Sequence, residues 1–235
     1  GLDRNVRFGV VGATAHFQVG FDSSGDSPVA YGGHSAETIN YVSCHDDLSL
    51  VDKLRASAPE GMTEEELVRF DKLAQTVVLT AQGIPSLFAG EEMLRTKGGV
   101  SNSHDSPDRV NRIDWSFKAD HKDVFDYYRG LIALRRTHPA FRLATAAEIE
   151  RHLRFLDTGD THVVAYRLVD HAGGDPWREI LVVYNGARAE KRVRIPPGDW
   201  HAVCLDGRIA SEALAVFSGD SVPVPASSAL IAYLP

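Results

Sequence analysis

The stretch Ile39-Asn40-Tyr41-Val42-Ser43-Cys44-His45-Asp46-Asp47 restricts the folds open to this chain more than any other. It begins as a short apolar, β-prone run and breaks into a histidine and two carboxylates. A buried strand with such an ending has the form of a (β/α) barrel strand delivering polar groups to an active-site rim. The plainer alternative is a strand followed by a polar turn, because Asp and Asn are common wherever a chain turns. The segments that follow decide between the two.

Residues 48–54 are predicted as a short helix, and Pro59-Glu60-Gly61 as a loop. Thr63 followed by Glu66 fits a capping box, in which each side chain satisfies a free backbone N–H of the other. Leu67, Phe70, Leu73, Ala74, Val77, Val78 and Ala81 then recur at helical spacing and predict a long helix with one apolar face. Gly83 suits its end, and Pro85 prevents continuation. Residues 84–89 read as a second buried strand, which also runs into carboxylates at Gly90-Glu91-Glu92. Strand, helix and strand with acidic groups after both strands predict a βα unit of a parallel sheet. Residues 93–122 follow as a long polar loop with Asn102, His104, Asp105, Asp108, Asn111, Asp114 and Trp115. A loop of that length after a strand is more often functional than a mere connection. A second helix is expected from about Asp123 to Thr137, on Val124, Tyr127, Tyr128, Leu131, Ile132 and Leu134, ending at His138-Pro139.

The flanks differ in texture. Residues 1–38 are rich in Gly, Ser and Asp, with apolar patches at Phe8-Gly9-Val10-Val11-Gly12 and Phe17-Gln18-Val19-Gly20-Phe21. They read as a long connection with little regular structure, which suits a rim loop of a larger enzyme. From about Ala140 onward short β-rich segments appear at 163–169, 180–184, 192–195, 201–205 and 229–234. Asn185-Gly186, a strong hairpin-turn dipeptide, and Pro196-Pro197-Gly198 punctuate them. The chain is therefore expected to be α/β in residues 1–139 and a small antiparallel β-sandwich in residues 140–235.

Composition narrows the function classes. A net charge of −7 gives no basic footprint for nucleic acid or an anionic membrane, so neither is expected as a partner. No apolar run approaches the roughly 20 residues of a membrane span. Cys44 and Cys204 are the only cysteines and lie far apart, which suggests neither a disulfide framework nor a zinc site. His104 lacks neighbours at metal-ligand spacing, and no complete oxygen-ligand loop for calcium is evident, so no metal and no cofactor is expected. Gly1 is not an initiator methionine, and the start of the chain is not expected to be a natural domain edge.

If the two strands are parallel neighbours, Asp46 and Glu92 would share one rim. Two carboxylates about a scissile bond are the usual equipment of glycoside hydrolysis. The plain alternative for Glu92 is a carboxylate that caps the following turn or pairs with Arg95.

At this point the residues resemble a known family. Asn40-Tyr41-Val42-Ser43-Cys44-His45-Asp46 followed by Leu50-Val51-Asp52-Lys53-Leu54 is similar to the seventh-strand motif of α-amylase-type glycoside hydrolases, in their type I pullulanase branch. Gln82-Gly83-Ile84-Pro85, Ala89-Gly90-Glu91-Glu92 and Leu94-Arg95-Thr96-Lys97 resemble that branch's eighth strand. Asn102-Ser103-His104-Asp105-Ser106-Pro107-Asp108, then Asn111 and Asp114-Trp115, resemble its substrate-side loop. Leu131-Ile132-Ala133-Leu134-Arg135 with His138-Pro139-Ala140-Phe141-Arg142 is similar to the last barrel helix and the start of the C-terminal sandwich.

The resemblance implies the C-terminal part of a (β/α)8 TIM barrel, about strands 7 and 8, followed by an antiparallel β-sandwich. It implies a complete enzyme that hydrolyses α-1,6-glucosidic bonds of pullulan or branched α-glucans with retention. Asp46 would be the third catalytic carboxylate, and His45, Asp47, Asn102 and Asp105 substrate-binding residues. The nucleophile and general acid would lie on strands preceding Gly1, so Glu92 loses that candidacy and this chain alone would be inactive. Its partners would be an α-glucan and the N-terminal barrel portion of the same protein. Two departures stand out: Asp47 replaces the family's usual Asn, and His104 replaces an aromatic residue. A non-catalytic glucan-binding or accessory fragment, and an isoamylase- or amylase-type relative, are the alternatives.

Overall fold

A computed structural model describes residues 3–20, 30 and 32–235. Phe21 and most of the connection expected after it lie outside the described residues.

Asp3–Val10 forms a helix, α1, where an irregular connection is expected. Gly9 and Gly12 weaken its helical signal, but Val10 and Val11 are fully buried, so tertiary packing outweighs propensity. Two short strands, β1 (Ile39–Asn40) and β2 (Ile84–Pro85), then pair in parallel, with Ile39 opposite Ile84 and Asn40 opposite Pro85. Between them run α2 (Leu50–Ser57) and α3 (Glu64–Thr80). The parallel strand–helix–strand order is as expected. The strands are shorter and barer than expected: Ile39 is 62% exposed and Ile84 45%. Among the described residues each has one strand neighbour, and the ladder spans two residue pairs.

Helix α3 starts at the expected capping box. Thr63 Oγ1 accepts from Glu66 N at 3.2 Å, and Glu66 Oε2 accepts from Thr63 N at 3.0 Å. Its buried side is not wholly apolar: Asp71, Gln75, Thr76 and Thr80 are buried along with Leu67, Leu73, Val78 and Leu79. Gly83, just beyond, holds φ +107°, and a Cβ there would come within 2.8 Å of Asn40 Nδ2 and 2.9 Å of Thr38 Oγ1. Only glycine lets β2 lie this close to β1.

After β2, two single-turn helices, α4 (Asp108–Asn111) and α5 (Phe117–Asp120), interrupt the polar loop. Helix α6 (Lys122–Thr137) follows the prediction, except that Ile132 is 37% exposed while Val124, Tyr127, Tyr128, Leu131 and Leu134 are buried. A further short helix, α7 (Ala146–His152), not expected from the sequence, has its own capping box from Thr145 and Glu148.

The remainder is an antiparallel sheet of seven strands: β3 (Leu153–Leu156), β4 (Val163–Leu168), β5 (Glu179–Asn185), β6 (Lys191–Leu205), β7 (Arg208–Ile209), β8 (Ala215–Val224) and β9 (Ser228–Leu234). The order is β3-β4-β5-β9-β6-β7, with β8 pairing with β6. It is one hydrogen-bonded sheet, not two separate ones, because β6 serves both layers. Its first half pairs with β8, and its end pairs with both β8 and β9. The two segments predicted at 192–195 and 201–205 are thus a single strand. Pro196-Pro197 lies within it, where the register with β8 shifts between Arg194 and Gly198. Prolines have no N–H for a ladder, so they fit such a bulge.

Asn185-Gly186 also departs from expectation. β5 pairs with β4 and β9, not with β6, so the dipeptide makes no hairpin. Asn185 is instead fully buried. Its Nδ2 donates to the carbonyls of Ala189 (2.9 Å), Val224 (3.0 Å) and Pro225 (3.0 Å), and its Oδ1 accepts from Ala187 N at 3.0 Å.

Two cores result. One face of the sheet, with Tyr166, Val182, Tyr184 and Ile231, shares a core with α1, α3 and α6. The other packs inside the sheet's own fold around Trp200, Leu181, Val183, Val222 and Leu230. Polar bonds stitch the helices to the sheet: Tyr166 Oη donates to Thr80 O at 2.9 Å, and Tyr184 Oη meets Thr80 Oγ1 at 2.5 Å. Arg135 donates to the carbonyls of Leu79, Ala81 and Gly83, the last turn of α3 and the start of β2. No helix among the described residues is long and apolar enough to cross a membrane.

Candidate functional site

The ends of β1 and β2 lie side by side, so the segments leaving them build one rim. Among the described residues the segment from β1 makes no backbone–backbone hydrogen bond over residues 41–48. Side chains hold it instead. Ser43 Oγ donates to Glu91 Oε1, and Lys53 Nζ reaches Val42 O at 3.4 Å. The Lys97 ammonium donates to His45 O at 3.2 Å and to Asp47 O.

His45 and Asp46 stand free of this anchorage. Their side chains are 85% and 81% exposed, with His45 Nε2 at 3.4 Å from Asp46 Oδ1. They line a cleft of about 280 Å³ together with Phe88, Arg95, Ser101, Asn102, Ser103, His104 and Asn111. Asn102 Oδ1 and His104 Nδ1 are bonded at 2.9 Å on the opposite wall. Of the expected site residues, the fold brings His45, Asp46 and Asn102 around this cleft. Asp105 is exposed and does not line it, and neither does Asp47. Asp47 has φ +60°. Among residues with a side chain, Asp and Asn tolerate that left-handed conformation best. Its backbone thus accounts for an acidic or amide residue there without a ligand.

Glu92 takes the plain alternative. Its Oε2 accepts from Gly90 N at 2.9 Å and caps the turn. Arg95 does not pair with it: Nη1 donates to Ala89 O and Nη2 to Asn111 O, while the guanidinium lies 4.5 Å from the Phe88 ring centre. The carboxylate that matters to the rim is Glu91, 2% exposed. Its Oε1 accepts from Ser43 and its Oε2 from Gln75 Nε2 at 2.8 Å. Burial pushes its acid up to about 7, against these hydrogen bonds, and the neighbouring Glu92 adds to the rise. Beneath it Asp71 accepts from Tyr128 Oη at 2.7 Å, and burial pushes Asp71 up to about 8.

Asp52, from the stretch after the rim, behaves oppositely. Burial alone would raise it, but hydrogen bonds from Thr96 Oγ1 (2.5 Å), Lys97 N (2.7 Å) and Ser49 Oγ (2.8 Å) hold it below the ordinary carboxylate range. It fixes the turn that presents Lys97. Glu91, Lys97 and Asp71 were missed as site supports. A signal was present for Asp71 and Gln75, polar residues one helical turn apart within the buried side of α3.

Cys44, His45 and Asp46 bring a thiol, an imidazole and a carboxylate within 4.8 Å of one another, and no fourth His, Cys, Asp or Glu joins them among the described residues. Both cysteines are free thiols; the fully buried Cys204 is pushed up to about 11 by burial.

Comparison with known proteins gives a consistent picture. Residues 149–208 match the family model described as "Pullulanase, all-beta domain". The chain is 40% identical over 161 residues to the pullulanase of Bacillus subtilis (strain 168), covering 68% of this chain and 22% of that protein. It superposes on the pullulanase from Bacillus acidopullulyticus with a TM-score of 0.84 at 40% identity, over 97% of this chain and 30% of that one. The pullulanase from Paenibacillus barengoltzii, solved in complex with maltohexaose and alpha-cyclodextrin, gives a TM-score of 0.84 at 39% identity, over 100% of this chain and 34% of that one. The chain thus spans about a fifth of the curated relative and about a third of each solved chain.

Proposed function

Because this chain has the sequence and fold of the C-terminal region of a pullulanase-like glycoside hydrolase, we propose that it carries one wall of a cleft that cleaves α-1,6-glucosidic bonds in pullulan or branched α-glucans. In this reading β1 and β2 are the seventh and eighth strands of a (β/α)8 barrel, and the β-sandwich begins near residue 140. The remaining strands come from the N-terminal barrel portion of the same protein. The bare flank of β1 supports this. Ile39 and Tyr41 are 62% and 54% exposed and line an apolar groove of about 370 Å³ with Val6, Val42, Val77 and Val78. A surface of that kind wants a neighbouring strand and helix.

Retaining hydrolysis needs a nucleophilic carboxylate and a general acid roughly 5 Å apart. Both would be supplied by the N-terminal portion, leaving this chain inactive alone. Asp46 acts as a third carboxylate: it accepts hydroxyl hydrogen bonds from the sugar, and its charge stabilises the oxocarbenium-like transition state. His45 and Asn102 contact the same sugar, with Asp47 and Asp105 at the outer margin. A malto-oligosaccharide ligand accords with the maltohexaose complex of the Paenibacillus relative.

The observation that carries this reading is the exposed His45–Asp46 pair at the C-terminal end of a parallel strand, facing the Asn102–His104 wall across one cleft. The test is pullulan hydrolysis by the complete protein with Asp46→Asn. Loss of a preorganised charge at the reacting centre should lower kcat on the order of a hundredfold or more. Turnover near the wild-type value would remove Asp46 from the catalytic set.

A further inference from the structure

We propose that Lys97 is a positioning residue that joins the two walls of the cleft and sets where Asp46 stands. This rests on the reading that Asp46 acts in that cleft. Lys97 is 2% exposed, yet among the described residues no carboxylate lies within 4 Å of its ammonium. A buried ammonium survives only with its hydrogen bonds filled. Here the acceptors come from both walls. His45 O (3.2 Å) and Asp47 O flank Asp46 on one side, and Ser101 O (3.5 Å) and Ser103 Oγ (3.2 Å) flank Asn102 on the other.

The arrangement matters because residues 41–48 have no backbone ladder among the described residues. The two carbonyls on either side of Asp46 are both turned onto one cation, so the Asp46 carboxylate is directed away from it, toward solvent and the cleft. The same cation holds the Ser101–Ser103 wall opposite. Three N–H groups serve these four acceptors, so a neutral side chain would remove three donors and free both walls to separate. An arginine would be larger and planar, unsuited to a site built around a compact ammonium. Lys97 itself is fixed from behind, its N–H bonded to Asp52 Oδ2 at 2.7 Å. Displacement of a catalytic group by about 1 Å can cost on the order of a hundredfold in rate, so this joint is worth a large effect without touching substrate.

The experiment uses the complete enzyme with pullulan as substrate and four variants: Lys97→Met, Ser103→Ala, Asp46→Asn and the double variant Lys97→Met/Asp46→Asn. Lys97→Met should lower kcat at least tenfold and change KM less than threefold. In the Asp46→Asn background the same substitution should lower kcat less than twofold, because the group it positions is already gone. A multiplicative loss in the double variant would mean that Lys97 acts on general stability and would overturn the proposal. So would wild-type kcat in Lys97→Met. If Lys97→Met does not fold, Ser103→Ala decides: it removes one acceptor of the joint and should lower kcat two- to fivefold, whereas an unchanged kcat overturns the proposal. Wild-type turnover in Asp46→Asn would overturn the functional reading instead, and separates that failure from this one.

Discussion

Replacing Asn185 tests whether a single amide closes the antiparallel sheet. Its side chain is fully buried at the end of β5, and its Nδ2 faces three carbonyls, from Ala189, Val224 and Pro225. Two amide hydrogens serve three acceptors, so one hydrogen is shared. With the Ala187 N–H received by Oδ1, about three net bonds are at stake. At about 1 kcal/mol each, with a further cost for carbonyls left dry, Asn185→Ala should lose about 3–4 kcal/mol. Asn185→Asp keeps the shape and reverses the chemistry. A carboxylate oxygen would meet three carbonyl oxygens, and near neutral pH the loss should reach about 4 kcal/mol or more. Burial among carbonyls makes the folded variant take up a proton well above the ordinary carboxylate value and regain one donor, so the Asp variant should recover part of its stability as pH falls to about 4. Urea unfolding followed by tryptophan fluorescence, with Trp200 buried in the same core, measures both. An Asn185→Asp chain within about 1 kcal/mol of wild type at neutral pH, or one destabilised further by acid relative to wild type, would refute the assigned donor direction.

The buried Glu91 gives a pH test. Its acid lies at about 7 in the fold against an ordinary 4.5, so the folded chain holds the proton more tightly than the unfolded chain. The stability it contributes is full below the ordinary value, falls as pH rises between the two, and is lost above about 7. The total is on the order of 3 kcal/mol. Glu91→Gln should flatten that slope in unfolding experiments, and an unchanged slope would mean that the carboxyl is hydrated. Asp71 is shifted in the same direction, so Asp71→Asn should flatten the upper end of the same window. In α6 the added methyl of Gly130→Ala would come within 2.3 Å of Ile209 Cγ2 on β7. Overpacking of this kind costs about 1–3 kcal/mol, partly offset by alanine's better helix propensity. The variant should unfold about 1–2 kcal/mol more easily, and Ile209→Ala in the same chain should relieve most of that; no relief would place the strain elsewhere.

Local chemistry determined much of this protein. The Thr63–Glu66 box, the apolar spacing after it and the Gly83–Pro85 stop were enough to find α3, because caps and periodicity act within a few residues. The parallel relation of β1 and β2 followed from strand, helix and strand order, which connection rules restrict strongly. His45, Asp46 and Asn102 were named from the resemblance of their segments to known motifs, and the fold gathers the three around one cleft. The tertiary structure decided what pairwise distance alone decides. Glu91 and Glu92 are adjacent carboxylates that no local rule separates. One is buried between Ser43 and Gln75 and the other caps a turn, and only packing distinguishes them. Asn185-Gly186 carries a hairpin signal, yet strand order sent β5 to β4 and β9, and the asparagine became a buried donor instead. Nothing local to Lys97 signals its burial. Its acceptors belong to residues 45, 47, 101 and 103, brought together only when both rim segments close over it. Sequence records which groups a chain owns and how they repeat. The free energy of burying a charge depends on which dipoles surround it, and that is set once the chain has folded.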